Sequence, residues 1–126
     1  MDKIKEERRI TDQYHENMRQ NEWELEILST KERKLAEKEQ EMFDFKNTFR
    51  NYINDGMGYP AEALQLGGVR EELQCFEEET FKEVLLEERT YQEEYEDLQI
   101  EKKDLLSKED TYTEEYRKEL NKLNGG

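Results

Sequence analysis

Nucleophilic catalysis needs an attacking group, a base and a third group to orient the base. The chain offers Cys75, His15, Ser29 and Ser107, and His15 lies 60 residues from Cys75. Beside Phe76 and two residues after Leu73, Cys75 reads as a small, half-buried apolar side chain, not as a reactive thiol. A carboxylate-bridged metal pair in a helical bundle draws on two Glu-x-x-His pairs. Here Asp12-Gln13-Tyr14-His15 alone sets a carboxylate three residues ahead of a histidine, and His15 reads as facing solvent. Gly56-Met57-Gly58 lacks the following lysine and the strand-to-helix setting of a phosphate loop. Runs such as Glu77-Glu78-Glu79 and Glu93-Glu94 make a solvated face of a helix, with no concave site around them. The expectation is a protein without enzymatic activity, with no catalytic residue, cofactor or metal.

Charge is the more informative chemistry. The 126 residues carry 34 acidic and 20 basic side chains, a net of −14. Residues 1–54 hold 13 acids and 11 bases, whereas residues 55–126 hold 21 and 9. From Glu71 to Asp97 twelve acids stand against Lys82 and Arg89. Such a stretch either solubilises a surface or steers a basic partner toward it. Nucleic acid and anionic membranes are disfavoured, because phosphate is held by clustered Lys and Arg. No apolar run approaches the roughly 18 residues of a membrane span, and residues 1–9 lack the apolar stretch of a secretory leader. One cysteine excludes an internal disulfide and fits a reducing compartment.

The elements that carry these residues follow from the breakers. Asn54-Asp55-Gly56-Met57-Gly58-Tyr59-Pro60 is turn chemistry, and Gly67-Gly68 makes a second break. Between them Ala61–Gln65 has room for one helical turn. On either side lie about 50 residues free of Gly and Pro and rich in good helix formers, each long enough for a rod of roughly 75–80 Å. Apolar residues recur every seven positions: Tyr14, Leu28, Leu35, Met42 and Phe49, with Asn21 as a polar interruption, then Val84, Tyr91, Leu98, Leu105 and Tyr112. A companion series in each flank mixes Leu25, Ile53, Phe81 and Tyr116 with Glu32, Glu39, Lys46, Glu88, Lys102 and Glu109. The fold class is therefore all-α, a long antiparallel two-helix hairpin resembling a coiled coil. It forms a single domain over 1–126, with helices over about 3–53 and 69–123 and a loop at 54–68. Facing the two best series would set Leu28 near Leu98, Leu35 near Tyr91 and Met42 near Val84. Thr90-Tyr91-Gln92-Glu93-Glu94-Tyr95 recurs 21 residues later as Thr111-Tyr112-Thr113-Glu114-Glu115-Tyr116. Three heptads would give both tyrosine pairs the same face, with rings buried and hydroxyls wet.

One narrow seam interrupted by charge leaves apolar side chains over, so a hairpin of this kind is expected to be completed by self-association or a partner. The candidate partner-binding residues are Trp23, Ile27, Leu28, Leu35, Phe43, Phe45, Phe76, Phe81, Tyr91 and Leu98. Trp23 and Ile27 lie one turn apart and off the seam, and Phe43 and Phe45 flank Met42. Large apolar and aromatic side chains in such places anchor interfaces.

Two long helices around the glycine-containing turn Asn54–Tyr59 resemble the small helical-hairpin proteins of Gram-positive type VII secretion. More closely, the acidic chain is similar to the α-helical accessory proteins associated with LXG toxins. That resemblance implies a non-enzymatic adaptor or targeting chaperone. It would bind the helical N-terminal domain of an LXG-type toxin, with a second small helical accessory protein as a further partner, and help deliver the toxin to the secretion machinery. The turn has no Trp-x-Gly, since Trp23 lies mid-helix. Nor does any of Tyr91, Tyr95, Tyr112 and Tyr116 have an acid four residues on. No export-signal residue is carried over, and the implied location is cytoplasmic, with co-export on a partner that supplies the signal. Two rival readings stay open: an acidic helical inhibitor or nucleic-acid mimic set against a basic partner, and a structural homodimeric coiled coil.

Overall fold

The computed structural model describes residues 2–125, and among them every regular element is a helix. Helix α1 covers Asp2–Asn54, a 3-10 turn covers Gly56–Gly58, α2 is the short Ala61–Leu64, and α3 covers Gly67–Leu123. The predicted all-α class and the single turn of helix after Pro60 are observed. Gly67 and Gly68 do not break the chain. They open α3, where a missing side chain costs little because the first-turn amides lack in-helix partners anyway.

Turn chemistry separates the long helices. Gly56, Met57 and Gly58 all lie in the left-handed region, at φ 74°, 55° and 79°. Gly56 is required twice over, because a Cβ there would also come within 2.6 Å of the Leu64 side chain. Met57 carries the strain of a non-glycine residue in that region, and its carbonyl accepts a hydrogen bond from the Tyr52 hydroxyl at 3.3 Å. Arg70 Nε donates to the Leu64 carbonyl at 2.8 Å, tying the end of α2 to the start of α3.

By internal packing the chain divides into two compact units: one built from the chain up to Glu32 and from Glu96 onward, the other from Arg33–Tyr95. Within each, α1 and α3 pack antiparallel. In the first, Ile10, Leu28 and Leu105 are buried, together with Asn21, which is 3% exposed. Asn21 Nδ2 donates to the Leu105 carbonyl at 2.8 Å, so the polar interruption of the seam is a bridge between the helices. Farther along, Tyr14 stacks on Tyr116 with ring centroids 4.3 Å apart. The Tyr14 and Tyr116 hydroxyls share hydrogen bonds with Thr113 and Thr11 respectively. In the second unit Leu35, Phe49 and Val84 are buried, and Phe49 contacts the rings of Phe45, Phe76 and Phe81.

The ring contacts add a second alignment to the pairing expected from the seams. Tyr14 meets Tyr116 rather than Tyr112, and Phe49 meets Phe81. At these two rings a best-series residue of α1 faces the companion series of α3, one turn from the expected register, whereas Asn21 reaches Leu105, and Met42 shares a groove with Val84, in the expected one. An antiparallel pair alternates its two seam series between helices, which matching best series to best series ignores. The polar seam residues are also accommodated within the chain. Lys46 pairs with Glu88, and Glu32 takes Lys102 Nζ at 3.6 Å and Gln99 Nε2 at 3.2 Å. Their desolvation is offset internally, so these four give no argument for an outside partner.

The tyrosine repeat is not one face repeated. Tyr116 is half-buried on Tyr14, whereas Tyr95 is exposed. A straight helix drifts about 20° per heptad from a 3.5-residue repeat, or about 60° across the three heptads separating the copies. The same drift explains Ile10, which lies on neither seven-residue series. Ile10, Tyr14, Asn17 and Asn21 follow an eleven-residue spacing inward, and on α3 Glu109, Tyr112, Tyr116 and Leu120 do likewise.

Candidate interaction surface

What α1 and α3 do not cover decides what the protein offers to others. Of the sequence-derived candidates, Leu28 and Leu35 are each 4% exposed and engaged in holding α1 to α3. Phe81 is half-buried against Phe49, with the Arg50 guanidinium 5.8 Å from its ring centroid. Tyr91 and Leu98 are half-buried as well. Trp23, Ile27, Phe43, Phe45 and Phe76 remain exposed, Trp23 and Phe43 by 57% each.

In the unit built from the two ends of the described chain, a groove of about 330 Å³ runs between α1 and α3. Its floor is Ile27, Leu28 and Leu105, and Trp23 lies one turn from Ile27 on α1. The α1 rim carries Glu24 and Lys31, and the α3 rim carries Glu101, Asp104 and Lys108. The Arg33–Tyr95 unit has a groove of about 250 Å³ with Met42, Phe45 and Val84 on its floor. Thr80, Glu83 and Glu87 line its edge, and no base does. A second groove in this unit, about 280 Å³, is lined by Met42, Phe43 and Tyr91, with the paired Lys46 and Glu88 beside them.

Several surface apolar residues escaped the sequence reading. Leu85, Leu86 and Ile100 are each 61% exposed, and Leu106 is exposed too. All four lie off both α3 seam series, and a helical wheel phased on Val84 and Leu105 would have flagged them. Met42 and Val84 were legible as seam residues, but their exposed edges as a groove floor were not. Cys75, expected half-buried, is exposed: Leu73 turns inward, and a residue two positions on is rotated by some 200° around the helix.

Arg9 hydrogen-bonds Glu6 one turn away, holding that carboxyl below its usual value and raising the guanidinium's. His15 is exposed, with its ring 5.7 Å from that of Tyr14. Among the described residues no three of His, Cys, Asp and Glu gather to hold a metal ion, and no helix is long and apolar enough to cross a membrane. The arrangement offers apolar floors between charged rims, a geometry for docking helices. No protein family matches the chain by its sequence profile, and no curated protein or solved structure matches it either.

Proposed function

We propose that the chain is a non-enzymatic helical adaptor, a long two-helix hairpin completed by helices of another protein. Following the resemblance to LXG-toxin accessory proteins, the occupant is the helical N-terminal domain of a secreted LXG-type toxin. The chain would help deliver that domain to type VII secretion, with a second small helical accessory protein sharing the assembly. It acts in the cytoplasm and leaves the cell only together with its partner. The observation that carries this reading is the exposed set Phe43, Phe45 and Phe76 in the Arg33–Tyr95 unit. Aromatic rings on an unpaired helix flank are anchors for a partner helix, because covering them removes apolar area from water. The carboxylates of Glu83 and Glu87 beside the Phe45 groove favour a basic approach and raise the encounter rate.

Kinetics with a purified LXG domain test the proposal. Phe45→Ala and Phe76→Ala should each weaken binding about tenfold, mainly through faster dissociation. Glu83→Gln with Glu87→Gln should slow association and leave dissociation nearly unchanged. The base-free rim of that groove also favours the acidic-mimic reading. Loss of all binding at moderate salt would support that alternative, and failure to bind any LXG domain would end the toxin-adaptor reading.

A further inference from the structure

The Ile27 and Phe45 grooves differ in what their rims accept, and the difference names an occupant for one of them. The Phe45 groove has Glu83 and Glu87 at its edge with no base, so a second copy would bring like charges together. The Ile27 groove is different. Its α1 rim reads Glu24 then Lys31, and its α3 rim reads Glu101, Asp104, then Lys108. Counting along both helices from the Tyr14–Tyr116 stack, Glu24 comes within two residues of level with Lys108, and Lys31 within two of Glu101. Each rim therefore runs from acid to base, and each end of the groove carries one acid and one base, with Asp104 between them on α3.

A surface with that pattern is complementary to itself. Turned by a two-fold axis parallel to the helices, a second copy lays its α1 across the first copy's α3. Glu24 of each copy then faces Lys108 of the other, and Lys31 faces Glu101. Turning the copy end over end would instead stack Asp104 on Asp104 near the middle of the groove. We infer that this face binds a second copy of the chain, α1 against α3, giving a symmetric four-helix contact with Ile27 and Leu105 at its centre. Closed two-fold contacts use one patch on both partners, as a self-complementary rim requires. Trp23, exposed one turn from Ile27, lies at the margin of the same face and is covered by the contact. This inference is independent of the toxin-adaptor reading, which uses the Arg33–Tyr95 unit.

Sedimentation velocity on the full chain across a dilution series is the test, with helix content read by circular dichroism on the same samples. The wild type should dimerise. Glu24→Lys places a base against Lys108 of the second copy, and Lys108→Glu places an acid against Glu24. Each variant alone should stay helical and sediment as a monomer. Mixed in equal amounts, the two should dimerise again, because each Glu24→Lys chain then meets a Lys108→Glu chain at both contacts. Charge repair inside one chain cannot produce that recovery, since neither variant carries both changes. A monomeric wild type would overturn the inference. So would single variants that still dimerise, or a mixture that stays monomeric.

Discussion

Asn21 offers a sharp test of how the helices are held. Its side chain is buried, and its amide donates across to the Leu105 carbonyl at 2.8 Å. That carbonyl lies in the interior of α3, where it also accepts the next turn's amide, so losing Asn21 does not leave it unpaired. Asn21→Ala removes one cross-helix hydrogen bond and some packing, about 1–2 kcal/mol. Asn21→Leu loses the same bond but buries an apolar side chain worth about 1.5–3 kcal/mol, a net gain of about 0.5–2 kcal/mol. With an unfolding entropy of about 2.1 cal/mol/K per residue, 126 residues give about 4 °C of melting temperature per kcal/mol. The Ala variant should thus melt about 4–8 °C below the wild type and the Leu variant about 2–8 °C above it, followed by circular dichroism. The stabilised variant should also pair its helices less specifically, since a single buried amide fixes register at a cost in stability. Equal destabilisation by both substitutions would refute the reasoning, for it would mean that the hydrogen bond both have lost outweighs the apolar area that Leu buries.

Further outcomes follow from other contacts. Phe49→Ala, at a ring touching three others, should cost about 3–5 kcal/mol in denaturant unfolding, whereas exposed Phe43→Ala should stay within about 0.5 kcal/mol of the wild type. A double-mutant cycle on Lys46 and Glu88, whose side chains are 31% and 35% exposed, should return a coupling of about 1 kcal/mol that shrinks with added salt. In a carboxyl titration by nuclear magnetic resonance, Glu6 should titrate below its ordinary value, and Arg9→Gln should return it to the usual range. Because the folded value is the lower one, the stabilisation from Glu6 is present above its unfolded value and is lost as pH falls through the folded one.

Composition and breakers made the helices legible: a sequence free of Gly and Pro over 1–53 and again over 69–124 leaves little else for it to form. Burial at Leu28, Leu35, Phe49, Val84 and Leu105 was legible from the seven-residue spacing. What escaped were features that depend on how two periods meet. Ile10 is buried because 3.6 does not divide seven, and a strict heptad extrapolated toward the start of α1 passes it by. The ring contacts escaped because no spacing displays that Tyr14 meets Tyr116 and Phe49 meets Phe81, one turn from the alignment that Asn21 and Leu105 keep. Glu32 and Lys46 looked like vacancies for a partner since a single series cannot show that Lys102 and Glu88 await them on the other helix. The grooves escaped for the same reason, being made of two helices at once.

The antiparallel course has a consequence for the order in which the molecule assembles. Phe49 and Phe81 are 32 positions apart, and Phe49 and Phe76 fewer still, so the aromatic cluster closes a short loop. Thr11 and Tyr116 are separated by 105 positions. Bringing the latter together from a disordered chain costs about 1 kcal/mol more closure entropy than the former. Once the aromatic cluster has formed, the loop that the Thr11–Tyr116 contact has to close is shorter. On closure entropy alone the Tyr14–Tyr116 stack forms after the aromatic cluster and opens before it. Amide hydrogens near Thr11 and Tyr116 would exchange with solvent well before those beside Phe49, although both lie in unbroken helix.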